Sequence, residues 1–172
     1  MHNSWLIRKA TIRDIERVRK MQAQSWRDTY ENKELGVTKD WLRDETDLWL
    51  TPNEIKKSEE FMRPFLEDEK NNFYRVAEVK NEIVGMIHAN HQDEKWRLWG
   101  IYISSKYHGS GLAQELLDLA NEWLGDNTVE LEVASYNDRA KAFYRKNGFY
   151  ETNEKREKYK NRIPIIKMIR SK

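Results

Sequence analysis

Apolar residues recur along this chain in two different periods, which together predict strands covered by helices. Six apolar residues share the spacing of one helix face: Leu112, Leu116, Leu117, Ala120, Trp123 and Leu124. Residues 98–103 form a short apolar run that is typical of a buried strand, and residues 129–134 alternate between apolar and acidic positions. The second half of the chain therefore predicts strand, helix and strand in succession.

The first seventy residues predict one strand followed by helices. Residues 5–9 have the strand pattern, and Thr11 with Asp14 three residues later resembles a pair that caps the start of a helix. A second helix is predicted over residues 40–50. Residues 53–70 are highly charged, and Pro64 predicts a break between two short helical pieces there.

Strand patterns dominate most of the remaining chain. They are predicted over residues 73–79, 83–89, 96–104, 150–159 and 163–169, in addition to residues 129–134. We therefore expect one domain over residues 1–172, of the α/β class (α+β in some schemes). Its sheet should be mixed and mostly antiparallel, with six to seven strands flanked by helices.

Composition narrows the class of protein. Lys and Arg (31) nearly balance Asp and Glu (29), which disfavours a dedicated nucleic-acid binder because such proteins carry a clustered basic face. With no cysteine, thiol nucleophiles and thiolate metal sites are excluded, and the four histidines have no zinc-ligand spacing. We expect no metal, no membrane span and a cytoplasmic location, since neither a long apolar run nor a signal-peptide core is present.

A glycine-containing loop lies between the strand at residues 98–103 and the helix that follows. It reads His108, Gly109, Ser110, Gly111, Leu112 and Ala113. Glycines at this position let backbone N–H groups approach a phosphate at the helix N-terminus, although a merely tight turn uses them too. Gln114 occupies the third glycine position of a dinucleotide fingerprint, and no Gly-Lys-Ser/Thr follows, so both of those phosphate motifs fit poorly.

A second group of residues follows the strand at 129–134 with fixed spacing. It comprises Asn137, Ala140, Phe143, Tyr144, Gly148 and Phe149. Together with the loop at residues 108–113, this pattern resembles the GCN5-related N-acetyltransferases (GNAT), although His108 stands where that family usually has Gln or Arg. The resemblance covers about residues 73–149 well and residues 5–30 loosely.

The resemblance implies a sheet splayed between the fourth and fifth strands and acetyl-CoA as the co-substrate. Residues 108–113 would hold its pyrophosphate, and a side chain at Gly111 should clash with that ligand before it harms the fold. His108 would add charge only when protonated, so phosphate affinity should rise below pH ~6.5. The pantetheine arm would pair with the backbone of Ile101, Tyr102 and Ile103.

The resemblance also implies roles for two side chains of the second group. Asn137 would bind the pantetheine arm, or serve only as a helix cap. Tyr144 would be the general acid for the departing thiolate, or an amphipathic tyrosine beside the core. A thiol near pKa ~8.5 is a stronger acid than a phenol near ~10, so Tyr144 must act late, have a lowered pKa, or only hydrogen-bond the sulfur.

The general base and the acceptor site are less defined by the sequence. Glu132, Glu94 and His91 are the candidate bases, because no carboxylate occupies Arg97, Leu98 or Trp99, the positions where some relatives carry one. Segment 31–72 is expected to be a variable helical insert that forms part of the acceptor site. Aromatic residues near it either line that site or pack in the core: Trp26, Tyr30, Trp41 and Trp49.

The sequence thus predicts an enzyme that transfers acetyl from acetyl-CoA directly to a primary amine. The acceptor could be a small-molecule amine, a polyamine, or an amine of a protein or peptide. The alternatives are transfer of a longer acyl group, and a catalytically silent CoA-binding or regulatory domain with the same fold. A homodimer is possible, since members of the family often dimerise.

Overall fold

Seven strands form one sheet in the computed structural model, which describes residues 5–155 and 157–171. They are β1 (Leu6–Lys9), β2 (Asn72–Val79), β3 (Glu82–Gln92), β4 (Lys95–Ile103), β5 (Val129–Ala134), β6 (Tyr150–Lys155) and β7 (Ile165–Arg170). Their order is β1-β2-β3-β4-β5-β7-β6, and only the neighbours β4 and β5 run parallel among these strands. The predicted mixed, mostly antiparallel sheet is confirmed.

Five α-helices cover this sheet within the described residues. They are α1 (Ile15–Thr29), α2 (Lys39–Trp49), α3 (Pro52–Glu67), α4 (Leu112–Leu124) and α5 (Asp138–Lys146). The apolar face of α4 packs on the largest core cluster together with Tyr144 of α5, whereas α1 and α3 pack on a second cluster that includes Tyr74 and Met86. None of the helices in the described ranges is long and apolar enough to cross a membrane.

The predicted break at Pro64 is wrong, because α3 continues through it as one helix. Pro64 lies in the last turn, where the missing N–H removes a single intrahelical hydrogen bond. Its carbonyl oxygen still accepts a hydrogen bond from the N–H of Asp68 at 3.1 Å. The loss is therefore confined to the helix end.

The start of α1 is fixed by a buried carboxylate, as the Thr11 and Asp14 spacing predicts. The Asp14 carboxylate accepts a hydrogen bond from the Thr11 N–H at 2.8 Å and from both terminal nitrogens of Arg8. Although burial raises its pKa, the bonds from Arg8 and Thr11 outweigh burial and lower it to about 2. Asp14 thereby ties β1 to α1, the helix that carries Trp26.

β4 and β5 separate after a short parallel contact. Residues 96–98 pair with residues 129–131, and beyond them β4 pairs with β3 while β5 pairs with β7 through Ala134. The predicted splay between the fourth and fifth strands is confirmed. Backbone groups of residues 101–103 therefore face a gap, where β5 would lie if its pairing with β4 continued.

One extra residue interrupts the pairing of β4 with β3. Leu98 lies opposite Ala89 and Gly100 opposite His88, which leaves Trp99 as a β-bulge. Leu98 and Ile103 both pack in the cluster under α4, although an odd number of steps would put them on opposite faces of a regular strand. The bulge therefore turns the second half of β4 over and directs Tyr102 toward the α1 side.

Candidate active site

A cleft of about 470 Å³ opens where β4 and β5 separate. Its walls come from α1, β4, the loop after β4, β5 and α5. Many residues singled out in the sequence lie along it: Trp26, Tyr30, Ile101, Tyr102, Ile103, His108, Gly109, Gly111, Ala113, Glu132, Asn137 and Tyr144. The fold thus gathers residues that are more than a hundred positions apart into one concave surface.

Other predicted site residues lie beside or away from the cleft. Leu112 is fully buried in the core, so only its backbone can serve the loop. The Ser110 hydroxyl donates to the carbonyl oxygen of Tyr107 at 2.7 Å and accepts from the Leu112 N–H at 3.3 Å. Trp49 packs edge-on behind Trp26, with ring centroids 4.9 Å apart, and does not line the cleft itself.

The candidate bases His91 and Glu94 lie at the far end of β4. His91 pairs with Trp96, and their rings stack 4.3 Å apart, while Glu94 occupies the turn between β3 and β4. On β3, six residue steps separate His91, the partner of Trp96, from Gly85, the partner of Ile103, which is about 20 Å at the usual rise. Both side chains are therefore outside the cleft.

The glycine loop has a backbone that only glycine adopts readily. Gly109 has a φ of 77° and Gly111 a φ of 95°, and a Cβ atom added to either would meet nothing within 4 Å. The open space in front of both residues leaves room for a ligand at the start of α4. The expectation that a side chain at Gly111 spares the fold is corrected, because its positive φ strains any other residue.

His108 is held as a neutral side chain at the edge of the loop. Nη1 of Arg139 lies 2.5 Å from its Nδ1, and since a guanidinium only donates, Nδ1 accepts. Nε2 then carries the hydrogen and donates to the carbonyl oxygen of Ile103 at 3.2 Å. Burial and the charge of Arg139 lower the pKa of His108. The rise in phosphate affinity, which the sequence analysis expects below pH ~6.5, should therefore occur at a lower pH.

The cation beside the loop is therefore Arg139, which the sequence analysis missed. It lies in the first turn of α5 and lines the cleft. Its guanidinium is charged at every working pH, unlike the imidazole that it contacts. No periodic pattern in the sequence indicates it, because the contact between Arg139 and His108 joins residues 31 positions apart.

Tyr144 projects from α5 to the unpaired edge of β4. Its hydroxyl lies close to the backbone of Ile101, and its ring packs in the core against Phe143 and Phe149 at 5.5 and 5.7 Å between centroids. Burial raises its pKa, the Tyr102 phenol adds to that effect, and the nearby backbone of Ile101 opposes it. A lowered pKa, one of the three predicted options for this residue, is contradicted.

Asn137 links the start of α5 to α1. Its Oδ1 accepts a hydrogen bond from the Ala140 N–H at 3.1 Å, which is the capping role that the sequence allows. The side chain also lies near the hydroxyl of Tyr30, whose pKa is raised mainly by burial. Next to them, the indole N–H of Trp26 donates to the Tyr102 hydroxyl at 3.4 Å. These contacts build the α1 wall of the cleft.

Among the described residues that line the cleft, Glu132 is the only one with a carboxylate. It lies on β5 opposite Lys167 of β7, and its side chain is exposed. The neighbouring Glu130 on the same face is bound to Arg97 and Lys167 at 2.8 and 2.6 Å, which outweighs its burial and lowers its pKa to about 2. Glu130 is thus committed to ion pairs and is not among the residues that line the cleft.

Comparisons with known proteins agree on one family. The sequence profile of the acetyltransferase (GNAT) family matches residues 15–149. The chain is similar to the structure of PaiA N-acetyltransferase from Thermoplasma acidophilum in complex with coenzyme A, with 21% identity and a TM-score of 0.68 over 99% of this chain and 100% of that one. A search of curated proteins found no significant match.

Two further structures share the fold at low sequence identity. Ard1 from Thermoplasma volcanium is 22% identical, with a TM-score of 0.66 over 98% of this chain and 97% of that one. The ribosomal-protein-S18-alanine N-acetyltransferase from Escherichia coli is 16% identical, with a TM-score of 0.63 over 98% and 95%. At these identities the likeness concerns the fold alone.

Proposed function

The chain belongs to the acetyltransferase (GNAT) family, and we propose that it transfers the acetyl group of acetyl-CoA directly to a primary amine. The observation that carries the proposal is the meeting of three features in one cleft. They are the open glycine loop, the unpaired edge of β4 and the hydroxyl of Tyr144. Each suits a different part of a thioester-bearing nucleotide.

The described residues fit acetyl-CoA as a co-substrate. Gly109 and Gly111 leave open space at the N-terminus of α4, and Arg139 provides a permanent positive charge beside them, both of which suit a pyrophosphate. The unpaired backbone of residues 101–103 can bond the amides of a pantetheine arm as an added strand would. When bound, acetyl-CoA supplies the thioester carbonyl that the amine attacks.

In the transfer, the amine nitrogen forms a bond to the acetyl carbon, the carbon–sulfur bond breaks, and the amine loses a proton. Tyr144 keeps its own proton at working pH because its pKa is raised. We assign it as a hydrogen-bond donor to the departing sulfur, which stabilises the charge that develops there. A direct transfer also agrees with the absence of cysteine, which leaves no thiol to carry the acetyl group.

Glu132 is our candidate for taking the proton of the amine, through a water molecule. At pH 7, deprotonating an amine with a pKa of ~10.4 costs about 4.6 kcal/mol, whereas an amine near ~8 costs only about 1.4 kcal/mol. A carboxylate that acts through water is enough to deprotonate an amine with a pKa near ~8, but is less effective for an amine with a pKa near ~10.4. Amines of low pKa are therefore the acceptors that this cleft serves best.

The test is acetyl-CoA with a panel of primary amines, following the release of free thiol, together with calorimetric titration of CoA. Saturable CoA binding with thiol release supports the proposal, and no binding at millimolar CoA overturns it. One observation favours the silent CoA-binding alternative, namely that Glu132 is the sole carboxylate among the described residues lining the cleft. CoA binding without thiol release from any amine would establish that alternative.

A further inference from the structure

A second cavity of about 320 Å³ lies between α1, α3 and strands β2 to β4. Its walls are largely apolar and aromatic, with Val18, Met62, Phe65 and Met86 among them. This volume suits a small organic molecule of roughly a dozen heavy atoms. The cavity is distinct from the cleft, yet the two share the wall formed by the bulge of β4.

The shared wall is thin at Gly100, because this residue has no side chain. Trp99, Gly100 and Tyr102 line both the cleft and the second cavity. The ring of Tyr102 folds back over Gly100, where an added Cβ atom would lie 2.9 Å from the ring. Gly100 directly precedes Ile101, whose backbone lies close to the Tyr144 hydroxyl. A molecule in the second cavity therefore lies next to the site of acetyl transfer.

Two polar groups in this apolar cavity have no partner in the described part of the chain. Nε2 of His88 is buried without a hydrogen bond, in a side chain that is 9% exposed, and the ring stacks 5.0 Å from that of Tyr74. Nε of Arg19 is likewise buried without a hydrogen bond, and its guanidinium lies 4.8 Å over the ring of Trp49. Leaving such polar atoms unpaired is unfavourable. A bound group that accepts from Nε of Arg19, and from Nε2 of His88 in the tautomer that carries its hydrogen there, would therefore be stabilised.

The charges around this cavity select the kind of ligand. Arg19 is the one charged residue among the described residues that line it, and no carboxylate is present there. A second ammonium group, as in a diamine, would be repelled at this place. A carboxylate would pair with the guanidinium and accept a hydrogen bond from the imidazole.

We propose that the second cavity holds the apolar body and the carboxylate of the amine acceptor, which is therefore an amino carboxylate with an aromatic or branched apolar side chain. This inference rests on the proposed acetyl transfer. The acceptor amine reaches past Gly100 into the cleft, forms the bond to the acetyl carbon and loses one proton through water to Glu132. The departing sulfur takes up one proton, and CoA leaves as the thiol. The carboxylate takes no part in the reaction and serves only to hold the acceptor.

The first experiment measures binding without reaction. We expect 3-phenylpropionate, an aromatic carboxylate that lacks the amine, to bind the protein saturably in calorimetry. Arg19→Met keeps the apolar stem but removes the charge, and should weaken binding about tenfold. Arg63→Met, on the exposed side of α3, is the matched control and should leave binding unchanged. Absence of saturable binding, or equal losses in both variants, overturns the proposal.

His88→Phe is a second variant, and its expected result differs from the one that a merely structural role of His88 would give. It retains an aromatic ring beside Tyr74 but removes the unpaired nitrogen, so the folded protein should become more stable while 3-phenylpropionate binds more weakly. A gain in stability with unchanged binding would overturn the role of His88 as a ligand contact.

The second experiment compares acceptors in the thiol-release assay: phenylalanine, phenethylamine and 1,4-diaminobutane. We expect kcat/KM to be highest for phenylalanine, and Arg19→Met to lower it about tenfold for phenylalanine but not for phenethylamine. Preference for the diamine overturns the inference while leaving the proposed acetyl transfer intact. Failure of CoA to bind, or of any amine to release thiol, overturns the transfer and this inference with it.

Discussion

The hydroxyl of Tyr144 lies close to the backbone of Ile101, at the place where β4 has lost β5 as a neighbour. A side chain of α5 thus approaches the backbone edge that the proposed pantetheine arm would need. We expect binding of that arm to displace the hydroxyl from this edge, so that it can face the sulfur. The same contact therefore positions Tyr144 before a ligand binds.

Tyr144→Phe should lower kcat in the thiol-release assay by about tenfold to a hundredfold, because one hydrogen bond to a developing thiolate is lost. CoA affinity in calorimetry should change little, since the ring still packs against Phe143 and Phe149. Tyr150→Phe, at an exposed position of β6, is the control. Unchanged kcat in Tyr144→Phe would remove this residue from the mechanism.

Arg139→Gln should weaken CoA binding about tenfold, because the permanent charge beside the glycine loop is removed. It should also raise the pKa of His108 toward its usual value, which NMR titration of the imidazole would report. Arg145→Gln changes another arginine of α5, one that is paired with Glu151, and should leave both quantities unaltered. If the two variants bind CoA equally, the loop does not depend on Arg139.

Gly111→Ala and Gly148→Ala separate backbone strain from ligand contact. Both glycines have positive φ values, 95° and 84°, so each substitution should lower the free energy of unfolding by about 1–2 kcal/mol. Only Gly111 lies in the cleft, so only its variant should also lose CoA affinity in calorimetry. Parallel losses of affinity in both variants would trace the effect to general destabilisation.

His88 should make the protein sensitive to mild acid. Burial lowers its pKa from about 6.5 to about 4, so the unfolded chain binds this proton at a higher pH than the folded protein does. The free energy of unfolding should therefore fall by roughly 3 kcal/mol between pH ~6.5 and ~4. Denaturant titrations of His88→Phe should lack this contribution, and an identical pH slope in both proteins would contradict it.

Regular patterns in this chain were sufficient to predict most of the fold. Residues 129–133 alternate between apolar and acidic side chains, and β5 has the predicted bounds of 129–134. The helix face of α4 is also regular: five of its six predicted apolar residues are buried, and Trp123 is partly buried against the same core. Such elements follow from the local period, because each side chain of a regular strand or helix has its face fixed by its position.

Features that depend on distant parts of the chain could not be predicted in the same way. The contact between Arg139 and His108 joins residues 31 positions apart, and the second cavity brings Arg19 of α1 near His88 of β3. Neither pair has a periodic signature. Gly100, inside a strand pattern, was a usable signal of the bulge, since glycine within a strand often marks one.

The bulge at Trp99 accommodates one extra residue in β4 without changing the faces of the residues on either side of it. Deleting Trp99 would restore an uninterrupted pleat and leave Leu98 and Ile103 four residues apart, so both would stay beneath α4. Tyr102 would still point toward α1. Homologues in which this strand is one residue shorter should accordingly keep the same order of aromatic and aliphatic positions after the deletion.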